Sequence, residues 1–120
     1  MLEDAIEYYL AQLVKKQLCT NEVYYSLRNG NWKGRGLELV MPKHAIRYLL
    51  YTNHSKLFTM VSIAQKTGIK DHSALINSLN FIKDLNHGYA KDKAYFEKLC
   101  LIVPYNYSAI DPDEVEEILP

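Results

Sequence analysis

The residue types that could do chemistry in this chain are concentrated between positions 70 and 77. A carboxylate, an imidazole and a hydroxyl follow one another at Asp71, His72 and Ser73, and the amide of Asn77 comes one helical turn later. These are the residue types of a nucleophilic relay, but consecutive residues at a helix start point in different directions, so we expect no catalysis. Hydrogen bonding to base edges in a major groove suits them better. We refer to these four residues as the polar cluster.

Two predicted helices joined by a tight turn, within residues 59–86, would position the polar cluster. Thr59 can cap the first helix, and Gly68 falls where that helix must end. Asp71 can cap the second helix by accepting hydrogen bonds from its first turn. Val61, Ile63 and Ala64 supply apolar positions in the first helix. In the second helix, four residues recur at helical spacing and should face the core: Leu75, Leu79, Ile82 and Leu85. This pattern indicates a helix-turn-helix.

The run from Gly68 to Leu75 reads Gly-Ile-Lys-Asp-His-Ser-Ala-Leu. It resembles the C-terminal DNA-binding domain (domain IV) of the bacterial replication initiator DnaA, where the pattern is Gly-Gly-Arg/Lys-Asp-His-Thr-Thr-Val. The similarity covers roughly residues 39–103 and includes the proline-basic pair Pro42-Lys43. The resemblance implies a Trp-repressor-like helix-turn-helix fold that binds double-stranded DNA, with the polar cluster in contact with bases.

Two positions depart from the family pattern. Ala74 stands where the family has a second Thr, and Phe81 stands where it has a Lys that meets the DNA backbone. Because the methyl group of Ala74 can touch a thymine methyl, we expect a changed base preference and no recognition of the family's usual site.

Length and composition limit what the resemblance implies. The 120 residues support one small domain, predicted to be an all-α, compact bundle of about six helices built around the helix-turn-helix. An initiator's ATPase module would not fit, and no phosphate-binding loop of the form GxxxxGK followed by Ser or Thr is present. We therefore expect no ATP and no other cofactor. No run resembles a membrane span or a secretory signal, so we expect a cytoplasmic protein.

The formal net charge of zero hides an asymmetry along the chain. Residues 21–70 carry eight Lys or Arg against two acids, whereas residues 71–120 carry four Lys against nine acids. The positive segment ends at the polar cluster, where charge that neutralises phosphates should lie. The residues predicted to contact the DNA backbone or the minor groove are Lys33, Arg35, Lys43, Arg47, Lys56, Thr59 and Lys70.

Residues 29–40 are predicted to form a basic loop, because glycines alternate there with Trp32, Lys33 and Arg35. In the resembled family, this position is a basic loop that reaches phosphate or the minor groove. We expect DNA contact from Lys33 and Arg35. An exposed Trp32 could wedge into DNA, but we favour a surface loop that Trp32 pins to the core.

The remaining helices of the predicted domain, residues 1–103, should supply its core. Residues 1–28 contain two amphipathic stretches, and residues 89–103 form a closing helix. Four residues of the closing helix should face the core: Ala94, Tyr95, Leu99 and Ile102. Family members begin with a short helix that contains a tyrosine pair, and either Tyr8-Tyr9 or Tyr24-Tyr25 could be its counterpart. If the second pair corresponds, the first helix is an addition that covers the domain or binds a partner.

A scaffold helix is predicted over residues 42–52, beginning at Pro42, whose missing N–H costs nothing at a helix start. Its inward residues should be Ala45, Ile46, Leu49 and Leu50. Lys43 and Arg47 lie four residues apart and should share the outer face, where they can touch phosphates.

The cysteines and histidines carry no metal-binding pattern. Cys19 and Cys100 are far apart and belong to no CxxC, so we interpret them as reduced thiols in the core. His44 and His54 are not at ligand spacing with each other or with a cysteine, and we expect no metal.

Residues 104–120 form an acidic C-terminal tail, with Asp and Glu interspersed among apolar residues. Such a tail is most often a solvated end, although its composition also suits docking to a partner or competition with DNA for the basic face.

Two functions follow from these observations. The leading hypothesis is a stand-alone protein that binds double-stranded DNA in the regulation of replication or transcription. The alternative is a helix-turn-helix scaffold that has lost DNA binding and acts as a protein-interaction module through its N-terminal helix or acidic tail.

Overall fold

The computed structural model describes residues 1–34 and 36–107, which contain six α-helices and no strand. The helices are α1 (Leu2–Lys15), α2 (Asn21–Arg28), α3 (Leu37–His54), α4 (Met60–Lys66), α5 (His72–Leu85) and α6 (Ala90–Cys100). The predicted all-α class is therefore confirmed. No helix in these residues is long and apolar enough to cross a membrane.

Helix α1 is an integral part of the core. It packs against α2, α3 and α4, and its inward residues recur at helical spacing: Leu2, Ala5, Ile6, Tyr9, Leu10 and Leu13. Burying a leucine side chain stabilises the fold by about 1.5–3 kcal/mol, so the buried face of α1 contributes substantially. Acids in its first turn and Lys15 in its last complement the helix dipole.

Helix α2 begins at a side-chain cap. The Thr20 side chain accepts a hydrogen bond from the backbone N–H of Val23 at 3.2 Å. Val23 and Leu27 face the core, while Tyr25 is exposed.

Helix α3, at 18 residues the longest, begins at Leu37 and not at Pro42 as predicted. The sequence interpretation is wrong here because Pro42 lies in the second turn, where its missing N–H removes only one hydrogen bond, to the carbonyl of Glu38. The preceding loop therefore ends at Gly36, which caps the helix in an extended conformation. Leu37, in the first turn, is 93% exposed.

Helix α3 packs against α1, α2, α4 and α5, and its predicted inward residues are buried as expected. These are Ala45, Ile46, Leu49 and Leu50. The helix thus provides the surface on which the other helices are arranged, as a scaffold should.

Helix α6 closes the bundle against α5 but is shorter than predicted. Leu99 and Ile102 are buried as expected, and Tyr95 is half-buried. Ala94 is exposed because α6 buries only a narrow stripe, on which Leu99 lies. Cys100 is also exposed, so its interpretation as a core thiol is wrong, while Cys19 is half-buried and packs against the core.

Arg35 lies outside the described residues. Residues 108–120, which hold the acids of the predicted tail, lie outside them as well.

Candidate nucleic-acid interface

Helix α4 is fixed at its start by the predicted cap. The Thr59 hydroxyl accepts from the backbone N–H of Ser62 at 3.0 Å and donates to the Ser62 side chain at 2.9 Å. Of the three apolar residues of this helix, Ile63 and Ala64 are fully buried, whereas Val61 is 48% exposed. A seven-residue helix has room for only one short buried face.

Gly68 ends α4 where the sequence predicts the end of this helix, and its backbone is left-handed, with a φ of +80°. The backbone N–H of Ile69 donates to the carbonyl of Ala64 at 3.0 Å, and that of Gly68 donates to Gln65 at 3.4 Å. These two bonds form a Schellman motif. A methyl group added to Gly68 would collide with Cβ of Trp32. The connection between α4 and α5 is therefore restricted by its own backbone and by the loop beside it.

Trp32 is 8% exposed and belongs to the main hydrophobic core. The prediction that it pins the loop is confirmed, and its buried indole is not available as a wedge. The loop and the connection between α4 and α5 are therefore packed as one unit.

Helix α5 begins at Asp71, whose Oδ1 accepts from the backbone N–H of Ala74 at 3.0 Å. The predicted inward stripe is confirmed, since Leu75, Leu79, Ile82 and Leu85 are all buried. The helix start is thus fixed locally by its cap and globally by its core face.

The structure brings the polar cluster together on the exposed start of α5. Asp71, His72, Ser73 and Asn77 are all exposed, and Ser73 and Asn77 lie four residues apart on one helix face. Oδ2 of Asp71 makes no hydrogen bond within the described residues, so it stays available as an acceptor. Lys70, immediately before the helix, is also exposed.

The lysines predicted to contact the DNA backbone divide into two groups. Lys33, Lys56 and Lys70 are exposed and form no ion pair with another described residue. Lys43 is half-buried, and its Nζ donates to the carbonyl of Gly34 at 2.6 Å, so it holds the loop instead of projecting outward. Burial, followed by the charge of Arg47, lowers the pKa of Lys43.

Arg47 contradicts the prediction of an outer-face cation, because it is only 5% exposed. Its Nε and Nη2 donate to the hydroxyl and carbonyl of Thr67 at 3.2 and 2.6 Å, and its Nη1 donates to Ser78 Oγ at 3.2 Å. Arg47 therefore joins α3 to the end of α4 and the middle of α5. Burial lowers its pKa to about 10.

The Thr67 carbonyl contributes the partial negative charge of a helix C-terminus, which partly compensates the guanidinium. No described carboxylate pairs with Arg47. The network continues to His44, whose Nδ1 lies 2.8 Å from Ser78 Oγ. Because Arg47 can only donate to Ser78, the serine hydroxyl is free to donate to a neutral His44. Burial, together with the charges of Arg47 and Lys43, lowers the pKa of His44 to about 4.

Two further cations pair with α1 and are not free. Arg28 lies 3.2 Å from Glu7, and Lys66 pairs with Glu3. The Lys66 hydrogen bond is the main reason that the pKa of Glu3 falls to about 2. Both pairs line a cleft of about 600 Å³ beside Trp32, and Lys33, which forms no ion pair with another described residue, lines it as well.

The sequence interpretation missed Thr67 and Ser78, both of which are buried. A signal for Ser78 was present, because it lies within the apolar stripe of α5 and a polar group at a core position needs a hydrogen-bonding partner. No feature of the sequence near Ser78 identifies Arg47 as that partner.

Among the described residues, no three His, Cys, Asp or Glu side chains gather in a way that could hold a metal. In comparisons with protein-family models, with curated proteins and with solved structures, nothing matches this chain. The described residues form a six-helix, all-α bundle that presents a capped helix start with four exposed polar side chains.

Proposed function

We propose that this protein binds double-stranded DNA by placing the start of α5 in the major groove, and that it acts in the regulation of replication or transcription. The observation that carries the proposal is the joint exposure of Asp71, His72, Ser73 and Asn77 on a helix whose opposite face is fully buried. A helix start of this kind reads base edges in helix-turn-helix proteins. The resemblance to the DnaA domain at residues 68–75 supports the same function.

Each member of the polar cluster has a role in this proposal. Oδ2 of Asp71 accepts from a cytosine amino group, while His72 and Asn77 hydrogen-bond to base edges. Ser73 contacts a base or a phosphate. Lys33, Lys56 and Lys70 neutralise phosphates, and they remain available because none of them forms an ion pair within the described residues.

The first test is a fluorescence-anisotropy titration of the protein into random-sequence duplex at low salt. Non-specific binders of this type reach dissociation constants of roughly 10⁻⁴ to 10⁻⁶ M even at physiological salt, so we expect tighter binding than this at low salt. Selection of bound duplexes from a random pool should then yield a preferred site. Absence of binding at tens of micromolar protein would rule out the proposal.

The salt dependence of binding gives a quantitative prediction. Three free lysines predict that log K falls with log salt at a slope of about −3, since each phosphate contact contributes about −0.9. Arg35 would add about one further contact. Titrations at four or more salt concentrations measure this slope, and Lys70→Gln should reduce it by about one. A slope near −6 would mean that cations which bond within the protein in this structure also contact DNA phosphates.

Direct base readout can be separated from helix capping at Asp71. Asp71→Ser keeps a capping side chain and should leave the free energy of unfolding nearly unchanged. It removes the carboxylate, so we expect a loss of about 1–3 kcal/mol on the preferred duplex and none on random duplex. Lys70→Ala is the matched control and should weaken both duplexes alike. Equal losses on the two duplexes for Asp71→Ser would refute base contact by this residue.

Two observations favour the alternative of a protein-interaction module. Apolar side chains are exposed on the same two helices, with Val61 at 48%, Ile76 at 40% and Phe81 at 38%. Four basic residues are also engaged internally, namely Arg28, Lys43, Arg47 and Lys66. If the anisotropy titration shows no binding to DNA, this alternative becomes the leading one.

A further inference from the structure

The exposed face of α5 extends beyond the polar cluster. Four residues with the spacing i, i+3, i+4 and i+7, which we call the outer face of α5, are all exposed: Ser73, Ile76, Asn77 and Asn80. At 100° per residue, these positions fill an arc of about 100° around the helix. The centre of that arc lies opposite the buried residues of the same helix, which are Leu75, Ser78, Leu79, Ile82 and Leu85.

The polar groups of the outer face are free to bind a ligand. Within the described part of the chain, the side-chain hydrogen bonds of residues 71–85 belong to Asp71 and Ser78. The amides of Asn77 and Asn80 are therefore not engaged by another described residue. A side-chain amide carries a donor beside an acceptor, and this pair matches the N7 acceptor and the N6 donor that adenine presents in the major groove. The two amides, less than one helical turn apart, thus suit two adenines.

Ile76 adds an apolar group to the same face. Its side chain is 40% exposed, and it precedes Asn77 in the sequence. The C5 methyl group of thymine is the apolar group on the major-groove edge of a base pair. An amide beside an apolar side chain therefore complements an A·T pair, in which adenine offers N7 and N6 and thymine offers its methyl group. A G·C pair offers the amide two acceptors on guanine and no methyl group, so it fits less well.

The length of the outer face sets how many base pairs it can contact. From Ser73 to Asn80 the helix rises about 10 Å, which is roughly three base-pair steps of about 3.4 Å. Recognition helices that lie in the major groove contact bases at positions with this spacing. Asp84 continues the face one turn beyond Asn80, and no described cation pairs with it. Because its carboxylate repels phosphates, the contact with DNA ends at Asn80.

We propose that the outer face of α5 reads A·T base pairs, with the amides of Asn77 and Asn80 on two adenines and the side chain of Ile76 on a thymine methyl group. These contacts require α5 to lie in the major groove, and they therefore rest on the proposed function. They add Ile76 and Asn80 to the base-contacting residues. They also define the class of target, a duplex in which two A·T pairs lie within about three base pairs of each other.

Selection of bound sequences by the full chain, from duplexes with a random centre, tests this class of target. We expect two A·T pairs within three base pairs of each other in the selected duplex. Replacing either pair with G·C should weaken binding by about 5- to 150-fold. Selected sequences without such A·T pairs would overturn A·T readout and leave the proposed function standing. Absence of binding to any duplex would overturn both.

Base analogues in the selected duplex test the individual contacts. 7-Deazaadenine lacks the N7 acceptor, so at the adenine read by Asn80 it should weaken wild-type binding by about 2- to 10-fold and leave the binding of Asn80→Ala unchanged. Uracil in place of thymine removes only a methyl group. It should weaken wild-type binding by about fourfold and leave the binding of Ile76→Ala unchanged. If an analogue weakens the variant as much as the wild type, the side chain concerned does not make the contact.

The variants themselves separate base readout from phosphate contact. Ala is a strong helix former, so Ile76→Ala and Asn80→Ala should fold, and circular dichroism checks this. Each should bind the selected duplex more weakly and random duplex as the wild type does. The matched control is Asn86→Ala, which makes the same chemical change at the C-cap of α5, outside the outer face, and should leave the base preference unchanged. Equal losses on both duplexes for Asn80→Ala would overturn base readout by this residue.

Discussion

Gly68→Ala is expected to lower the free energy of unfolding by about 2–5 kcal/mol. Two costs add at this position. A left-handed φ costs a residue with a Cβ about 1–2 kcal/mol, and the new methyl group would press on Cβ of Trp32, where overpacking typically costs about 1–3 kcal/mol. Urea denaturation followed by circular dichroism measures the change.

Gly30→Ala is the matched control for this substitution. Gly30 also has a positive φ, at +93°, but a Cβ there would meet nothing within 4 Å. It should therefore show only the backbone cost, about 1–2 kcal/mol. The difference between the two variants isolates the contact of Trp32 with the connection between α4 and α5. Equal destabilisation would mean that Trp32 shifts to admit the new methyl group without any cost in the free energy of unfolding.

The second large effect is expected at Arg47. Arg47→Ala should destabilise the fold by about 3–5 kcal/mol, because it removes three hydrogen bonds from a charged donor and leaves a cavity between α3, α4 and α5. Arg47→Met keeps most of the volume and removes the buried charge, so its cost should be smaller, about 1–3 kcal/mol. Chemical denaturation of both variants measures these costs.

Arg47→Met also separates an internal role from a DNA contact. If Arg47 bonds only to Thr67 and Ser78, the slope of log K against log salt for DNA binding stays unchanged in this variant. A phosphate contact by Arg47 would instead reduce the slope by about one. Such a reduction would support the outer-face position predicted from the sequence over the buried position in the structure.

Local chemistry made much of the α4–α5 region predictable. Thr59 and Asp71 cap their helices, and Gly68 ends α4, because each of these features depends on a few neighbouring residues. The inward stripe of α5 was predictable for the same reason, since the helical period alone places those residues on one face.

Contacts between distant segments made the rest unpredictable. Arg47 bonds to residues 20 and 31 positions away, and the Tyr9 hydroxyl bonds to Tyr105, 96 positions away. A helical period places Arg47 beside Lys43, but it does not show that Thr67 and Ser78 converge over the guanidinium. The first turn of α3 was missed for a different reason, because proline is tolerated in a second turn as well as at a helix start.

The position of Pro42 has a consequence for how far the basic loop can extend. Pro42 donates no hydrogen bond to the carbonyl of Glu38, so Leu37 and Glu38 are the residues of α3 that its hydrogen bonds hold least. Both are exposed, with Leu37 at 93%, whereas Leu39 and Met41 pack against the core and keep the rest of the helix in place. Each residue that passes from helix to extended chain gains about 1.8 Å of length, so release of Leu37 and Glu38 would lengthen the loop that carries Lys33 by roughly 4 Å.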